Sequence, residues 1–217
     1  MIDNRLPTFP GRPVHGPKLD SPAGKSMLDP LLYGDRAVEP KWNGWRLMLD
    51  RVECIPWNRH GEILSIGDEF HKAIQFLHDL PASLPRYVDC ECLERRHGFM
   101  RGSIIVLDVI VSGLAYPAHR THIEEKIPIF NESAHLFERD VVCATPHLQL
   151  GEAFRYWREL QDFNRHINST GLNSYFEGLV LKRLDSPYPV QRLNPERETP
   201  TWTKHRFIHR STRHISA

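Results

Sequence analysis

AVEPKWNGWRLML, residues 37–49, sets two short runs of β-forming residues on either side of a Trp-Asn-Gly break. Runs bounded by a turn in this way read as successive strands, and Gly44 lets the backbone turn tightly and come close to a bound molecule. Lys41 ends the first run, a position from which its amine can project into a pocket. The same texture continues outward. WRLMLDR (45–51) and VECIPWN (52–58) read as strands, a turn falls at Arg59-His60-Gly61, and EILSI (62–66) reads as another short strand. The succession is an antiparallel meander and not a βαβ repeat.

Further along, DEFHKAIQFLHDL (68–80) sets Phe70, Ile74, Leu77 and His78 at helical spacing, with Pro81 as the stop. YVDCECLER (87–95) and GSIIVLDVIV (102–111) read as strands, the second apolar enough to be covered on both faces. HRTHIEEKIPIF (119–130) and GEAFRYWRELQDFNRHIN (151–168) read as helices, the longer one with Phe154, Trp157 and Leu160 on one side. FEGLVLKR (176–183) and TWTKHRF (201–207) return to strand. Helices inserted between antiparallel strands define an α+β fold, in which sheets flanked by helices gather these blocks around one cleft. Residues 1–26, rich in proline and glycine without an apolar period, read as an extended arm that wraps the domain or stays mobile. The folded domain is expected over 27–207, followed by a basic tail at 208–217.

The chain has 217 residues, a 40% hydrophobic share and a formal charge of +1, which describes one soluble globular domain. No apolar run reaches the length that spans a bilayer, and MIDNRLPTFPGRPVHG lacks the apolar core of a secretory signal, so a cytoplasmic monomer is expected. The four cysteines, Cys54, Cys90, Cys92 and Cys143, are too few for a disulfide framework and are expected to be thiols. Cys90, Cys92 and His97 lack the second ligand pair of a structural zinc site, and a buried small residue is the better reading of such a cysteine. After Pro200 the tail carries lysine, arginine and histidine but no carboxylate, which suits either a polyanion such as nucleic acid or a solvated end.

Lys41 admits two chemistries, a counter-charge for phosphate or a nucleophile. A nucleophilic amine must shed its proton near neutral pH, and neighbouring cations or burial favour this by penalising the charged form. Lys182, Lys204 and Arg206, in the later blocks, supply such cations.

Read in order, the blocks carry a family resemblance. EPKWNGWR (39–46) is similar to a KxDGxR nucleophile motif preceded by glutamate, and NRHGEIL (58–64) to the RNG turn that follows it. YVDCECLE (87–94) stands where a DGE strand is expected and VLDVI (106–110) where FDL or FDV is expected. FEGLVLKRLDSPY (176–188) closely resembles an EGLVLK block, and TWTKHR (201–206) a terminal WxKxK. From Met27 to Phe207 the chain thus resembles the nucleotidyltransferase domain of ATP-dependent DNA ligases, within the superfamily of covalent lysyl-nucleotide enzymes that also holds RNA ligases and mRNA capping enzymes.

The resemblance implies a role for each matched residue. Lys41 would attack the α-phosphate of ATP and carry AMP as a phosphoramidate. Glu39 would read the adenine amine, Arg46 and Glu91 would hold the ribose hydroxyls, and Leu107 would cover the base. Arg59 would take the 5′-phosphate of a nick, and Glu177 a divalent ion, Mg²⁺ or Mn²⁺. Lys182, Lys204 and Arg206 would neutralise charge on the α-phosphate. Four positions depart from the pattern: Asn43 replaces an aspartate, Cys90 a glycine, Leu107 an aromatic residue and Arg206 a lysine. Family members continue into an OB-fold that clamps the duplex, whereas this sequence stops shortly after Arg206. The expectation is a catalytic domain without that OB-fold, acting on nicked nucleic acid, most like DNA, with a separate protein supplying the clamp. An RNA ligase of the same chemistry and a noncatalytic nucleotide- or nucleic-acid-binding remnant are the alternatives.

Overall fold

The computed structural model describes residues 9, 10, 12–111, 113–131, 142–191 and 198–208. Expectations for the first eight residues and for the basic tail beyond 208 lie outside the described residues. In chain order the strands are β1 (Phe9–Pro10), β2 (Arg12–His15), β3 (Arg36–Trp42), β4 (Trp45–Asp50), β5 (Ile55–Trp57) and β6 (Tyr87–Leu93). They continue with β7 (Ser103–Val109), β8 (Val142–Ala144), β9 (Leu148–Gln149), β10 (Phe176–Arg183), β11 (Val190–Gln191) and β12 (Glu198–Arg206). The helices are α1 (Pro22–Ser26), α2 (Pro30–Tyr33), α3 (His71–Asp79), α4 (Tyr116–Glu124) and α5 (Ala153–Ser169).

Two five-stranded sheets carry the fold, one ordered β2-β12-β10-β3-β9 and the other β5-β4-β6-β7-β8, while β1 and β11 form a small separate pair. Pairing is antiparallel except for β2 with β12 and β7 with β8. The architecture is the α+β arrangement expected. Helix α5 is amphipathic, and its apolar stripe, including Trp157, Leu160 and Ile167, packs against Leu179, Leu181, Trp42 and Phe176 of the first sheet. The second sheet buries Leu47, Leu49, Val88 and Val106 against Leu77 of α3 and Ile123 of α4. Cys90, Cys92 and Cys143 are buried, and all four cysteines are thiols. No helix among the described residues is long and apolar enough to cross a membrane.

Both sheets are interrupted where they face each other's site residues. On β10, Phe176 pairs with Trp42 and Gly178 with Lys41, so Glu177 is an extra residue with no counterpart on β3. On β7, Asp108 pairs with Asp89 and Val106 with Cys90, so Leu107 is likewise extra. Such bulges break the alternation of faces. Phe176 drops into the core while Glu177 turns to the cleft, and Leu107 stays half-exposed between buried Val106 and Asp108.

Four local expectations change. EILSI is not a strand, because the Asn58 side chain accepts from the backbone N–H groups of His60 and Glu62, closing a turn that leaves only Ile63 bridged to Trp57. VECIPWN narrows to β5, since residues 51–54 form a turn with Cys54 at a φ of 53°. The helix expected over 119–130 begins earlier, at Tyr116 with proline in its first turn, and ends at Glu124. Pro128 and Phe130 instead exchange hydrogen bonds with Ala144, so the spacing of Ile127 and Phe130 reflects two core contacts and not a helix face. The arm is partly regular: β2 extends the edge of the first sheet and α1 is capped by the Ser21 hydroxyl.

Candidate active site

Pairing register assembles one face of the first sheet. Lys41 stands opposite Gly178, which stands opposite Arg206; the next row is Glu39, Val180 and Lys204, and the third Ala37, Lys182 and Trp202. Residues two apart on a strand share a face, so these side chains point the same way. Gly178 is required between the outer pair, because at its φ of 151° a Cβ would meet the His205 carbonyl oxygen at 1.8 Å. Into this row the bulge aims Glu177, whose Oε2 lies 2.7 Å from Lys41 Nζ and 3.2 Å from Arg206 Nη2.

The second sheet supplies the facing wall. Arg46 lies opposite Glu91 on β6 and donates twice to Asp89, at 2.8 and 2.5 Å, while the Tyr188 hydroxyl donates to the same carboxylate at 2.9 Å. Burial opposes the Arg46 charge, yet Asp89 holds its pKa above the ordinary value. Glu91 accepts from the Gly44 N–H at 2.9 Å, and burial pushes its pKa up to about 7 against the pull of Lys41 and Arg46. Gly44 fits there because a Cβ would lie 2.2 Å from the Cys92 carbonyl oxygen.

At the inner end, Lys182 is 2% exposed and reaches Glu39 at 3.0 Å and Asp108 at 3.2 Å, with the Trp202 ring 4.4 Å away. Burial works against its charge, but the two carboxylates raise its pKa. Tyr116 donates to the other Glu39 oxygen at 2.5 Å, and His119 lies 3.1 Å from Asp108. Lys204 is the opposite case. Burial, then Arg206 and Lys41, pull its pKa down to about 8.

All ten residues singled out in the sequence, Glu39, Lys41, Arg46, Arg59, Glu91, Leu107, Glu177, Lys182, Lys204 and Arg206, line one cavity of about 680 Å³. Arg59 stands exposed at its rim, with Nε 3.0 Å from the His60 ring nitrogen. Asn43 also lines the cavity, but its side-chain amide donates to the Ser174 carbonyl at 2.8 Å while its backbone carbonyl accepts from the His97 ring at 2.8 Å. The amide therefore ties the turn to the start of β10, a bond that an aspartate could not donate. Sequence reasoning missed Asp89, Asp108, Tyr116, Tyr188 and Arg12. The first two stand inside the quoted blocks beside residues that were given roles, whereas nothing local in the proline-rich arm marks Arg12 as a cavity residue.

Among the described residues no cluster of three His, Cys, Asp or Glu side chains could hold a metal. Glu177 offers one carboxylate facing two cations. This donor set fits a divalent ion that arrives with phosphate oxygens and keeps its waters, as Mg²⁺ does, better than a permanent protein site.

No protein-family model matches the sequence, and no curated protein matches it. Solved structures do. The chain is similar to a Lig E DNA ligase with a TM-score of 0.52 and 11% identity, covering 90% of this chain and 68% of that one. It is similar to the ligase domain of M. tuberculosis LigD with a TM-score of 0.52 and 18% identity, covering 95% and 60%. A mycobacterial DNA ligase D complexed with ATP and MES gives a TM-score of 0.51 and 17% identity, covering 95% and 62%. The fold is that of the nucleotidyltransferase domain of ATP-dependent ligases. The chain spans about 60–68% of the length of these neighbours.

Proposed function

We propose that this domain serves an ATP-dependent polynucleotide ligase, most like a DNA ligase, that seals nicks through a lysyl-AMP intermediate. The observation that carries the reading is the 2.7 Å pair between Lys41 and Glu177 inside a cavity that also gathers Lys204, Arg206 and Arg46. A lone structural ion pair needs no such surplus of cations; a polyphosphate does.

In the first step Lys41, having given its proton to solvent, forms an Nζ–P bond to the α-phosphate as the bond to pyrophosphate breaks. Arg206 and Lys204, on β12 level with Lys41 and Glu39 across β10, stabilise the charge that builds on that phosphorus. Glu177 holds the amine in line until the nucleotide displaces the pair; it would then help hold a divalent ion, which would supply charge neutralisation at the phosphates. Glu39 accepts from the adenine amine, held in place by Tyr116 and Lys182; Arg46 and Glu91 bracket the ribose, and Leu107 covers the base face. In the second step a 5′-phosphate oxygen, guided by Arg59, attacks the lysyl phosphorus and returns the amine. In the third a 3′-hydroxyl attacks the 5′-phosphate and releases AMP.

Incubation with α-labelled ATP or GTP and Mg²⁺, followed by a denaturing gel, tests the first step. The expected result is an AMP label that Lys41→Ala abolishes. Absence of label from both nucleotides in the wild type sinks the enzymatic reading in favour of a nucleotide-binding remnant. Offering nicked DNA and nicked RNA to the labelled protein then separates the DNA ligase from the RNA ligase.

A further inference from the structure

Beyond Glu177 and Arg206 lies a second cavity of about 430 Å³, which shares those two residues and Asn43 with the first and is walled on its far side by α5 and the exit of β12. Its chemistry differs from that of the nucleotide cleft. Glu177 is the one carboxylate on its wall, and amides and arginines make up most of the polar lining. Some of these groups are committed to the fold. Asn164 clamps both the N–H and the carbonyl of Phe176, and Asn168 is paired with Ser174. Others are not. The half-buried Gln161 side chain has no partner among the described residues, and the buried Arg206 Nε–H has no hydrogen-bond acceptor. Arg165 is largely exposed, and among the described residues its charge is shared only with neighbouring Asp162. Phe207 is held edge-on against Trp157, with ring centroids 4.5 Å apart, and gives the cavity a rigid aromatic wall.

We infer that this second cavity binds the terminal nucleotide of the strand that carries the 3′-hydroxyl. The volume suits one small ligand or nucleotide and not a duplex. An amide with both donors and acceptors can meet a base edge, an aromatic wall can meet a base face, and a cation can meet the adjoining phosphate. The shared wall fixes the direction. A strand end seated here presents its hydroxyl to the Glu177–Lys41 junction from the side opposite the nucleotide cavity. This inference rests on the ligase reading for its geometry, but its test does not depend on lysyl-AMP formation.

The probe is a short single-stranded DNA with a 5′ fluorophore and a 3′-terminal 4-thiothymidine, mixed with the full chain without ATP. Irradiation followed by peptide mapping is expected to place the crosslink within 161–168 or 207–208. A crosslink at Arg59 or elsewhere on the nucleotide cavity overturns the assignment. By fluorescence anisotropy, Arg165→Glu and Gln161→Ala are expected to weaken binding, the first by about tenfold through loss of a phosphate contact. Equal affinity in both variants, or no binding by the wild type, also overturns it. If the probe binds and crosslinks as expected while no ATP label forms, the second cavity stands and the ligase reading fails.

Discussion

Arg51 follows the last residue of β4 and Arg206 is the last residue of β12, and the fold treats their charges in opposite ways. Arg51, 3% exposed, donates to six backbone carbonyls, those of Leu77, His78, Leu80, Pro81, Leu84 and Pro85. These include the last carbonyls of α3, which would otherwise lack partners. Every donor is used, and no ligand could compete for one without breaking the helix end. Among the described residues Arg206 has one ion pair and no acceptor for its Nε–H, and it helps to depress the pKa of Lys204 beside it. The charge of Arg51 is saturated by its own chain, whereas that of Arg206 is left partly unspent and the fold bears its repulsion with Lys204.

The sharpest way to break this contrast is to remove each arginine in turn. Arg51→Met is expected to destabilise by about 3–5 kcal/mol, because several buried carbonyls lose their donor together. Urea unfolding measures it, and the folded fraction should still accept label from ATP. Arg206→Met should do the reverse, lowering covalent labelling about a hundredfold while moving the urea midpoint little, since Glu177 keeps Lys41. If the two variants lose stability equally, the distinction between structural and ligand-directed charge collapses.

Lys204 sharpens the comparison through pH. With its pKa near 8 in the fold against an ordinary 10.5, the unfolded chain binds more protons between those values, so stability rises with pH across that window. Below about 8 the penalty is present in full. Lys204→Met should therefore raise the melting temperature at pH 7, by about 3 °C, and the gain should shrink towards pH 10. A gain independent of pH would trace instead to packing. Asn43→Asp is the smallest test: a carboxylate facing the Ser174 carbonyl should cost about 1–2 kcal/mol at neutral pH. Because protonation restores the donor, the deficit should narrow as the pH is lowered. An unchanged midpoint would show that the turn does not depend on this bond.

Much of the arrangement is legible in one dimension. Strong local periodicity places α3 and α5, and the run of apolar residues around Ile105 announces a strand covered on both faces. The ten cavity-lining residues stand out in the blocks, but the expected meander does not gather them: β3, β10 and β12 lie in one sheet and β4, β6 and β7 in the other. Elsewhere local pattern misleads. Residues 127–130 continue a helical pattern on paper, yet Ile129 bridges to Ala144 of β8, and the alternation in EILSI loses to the Asn58 turn. The arm, which lacks any apolar rhythm, still adds β2 to a sheet edge and Arg12 to the cavity.

The amino-acid order by itself determined which residue types meet: a lysine after a β run, a glycine to admit a ligand, a carboxylate and late cations on neighbouring strands. Only the tertiary structure decided that Glu177 and Leu107 face the cleft. A strand alternates its sides strictly, so a single extra residue reverses everything beyond it. Whether a residue is extra depends on the partner strand, which is fixed only when the sheets close.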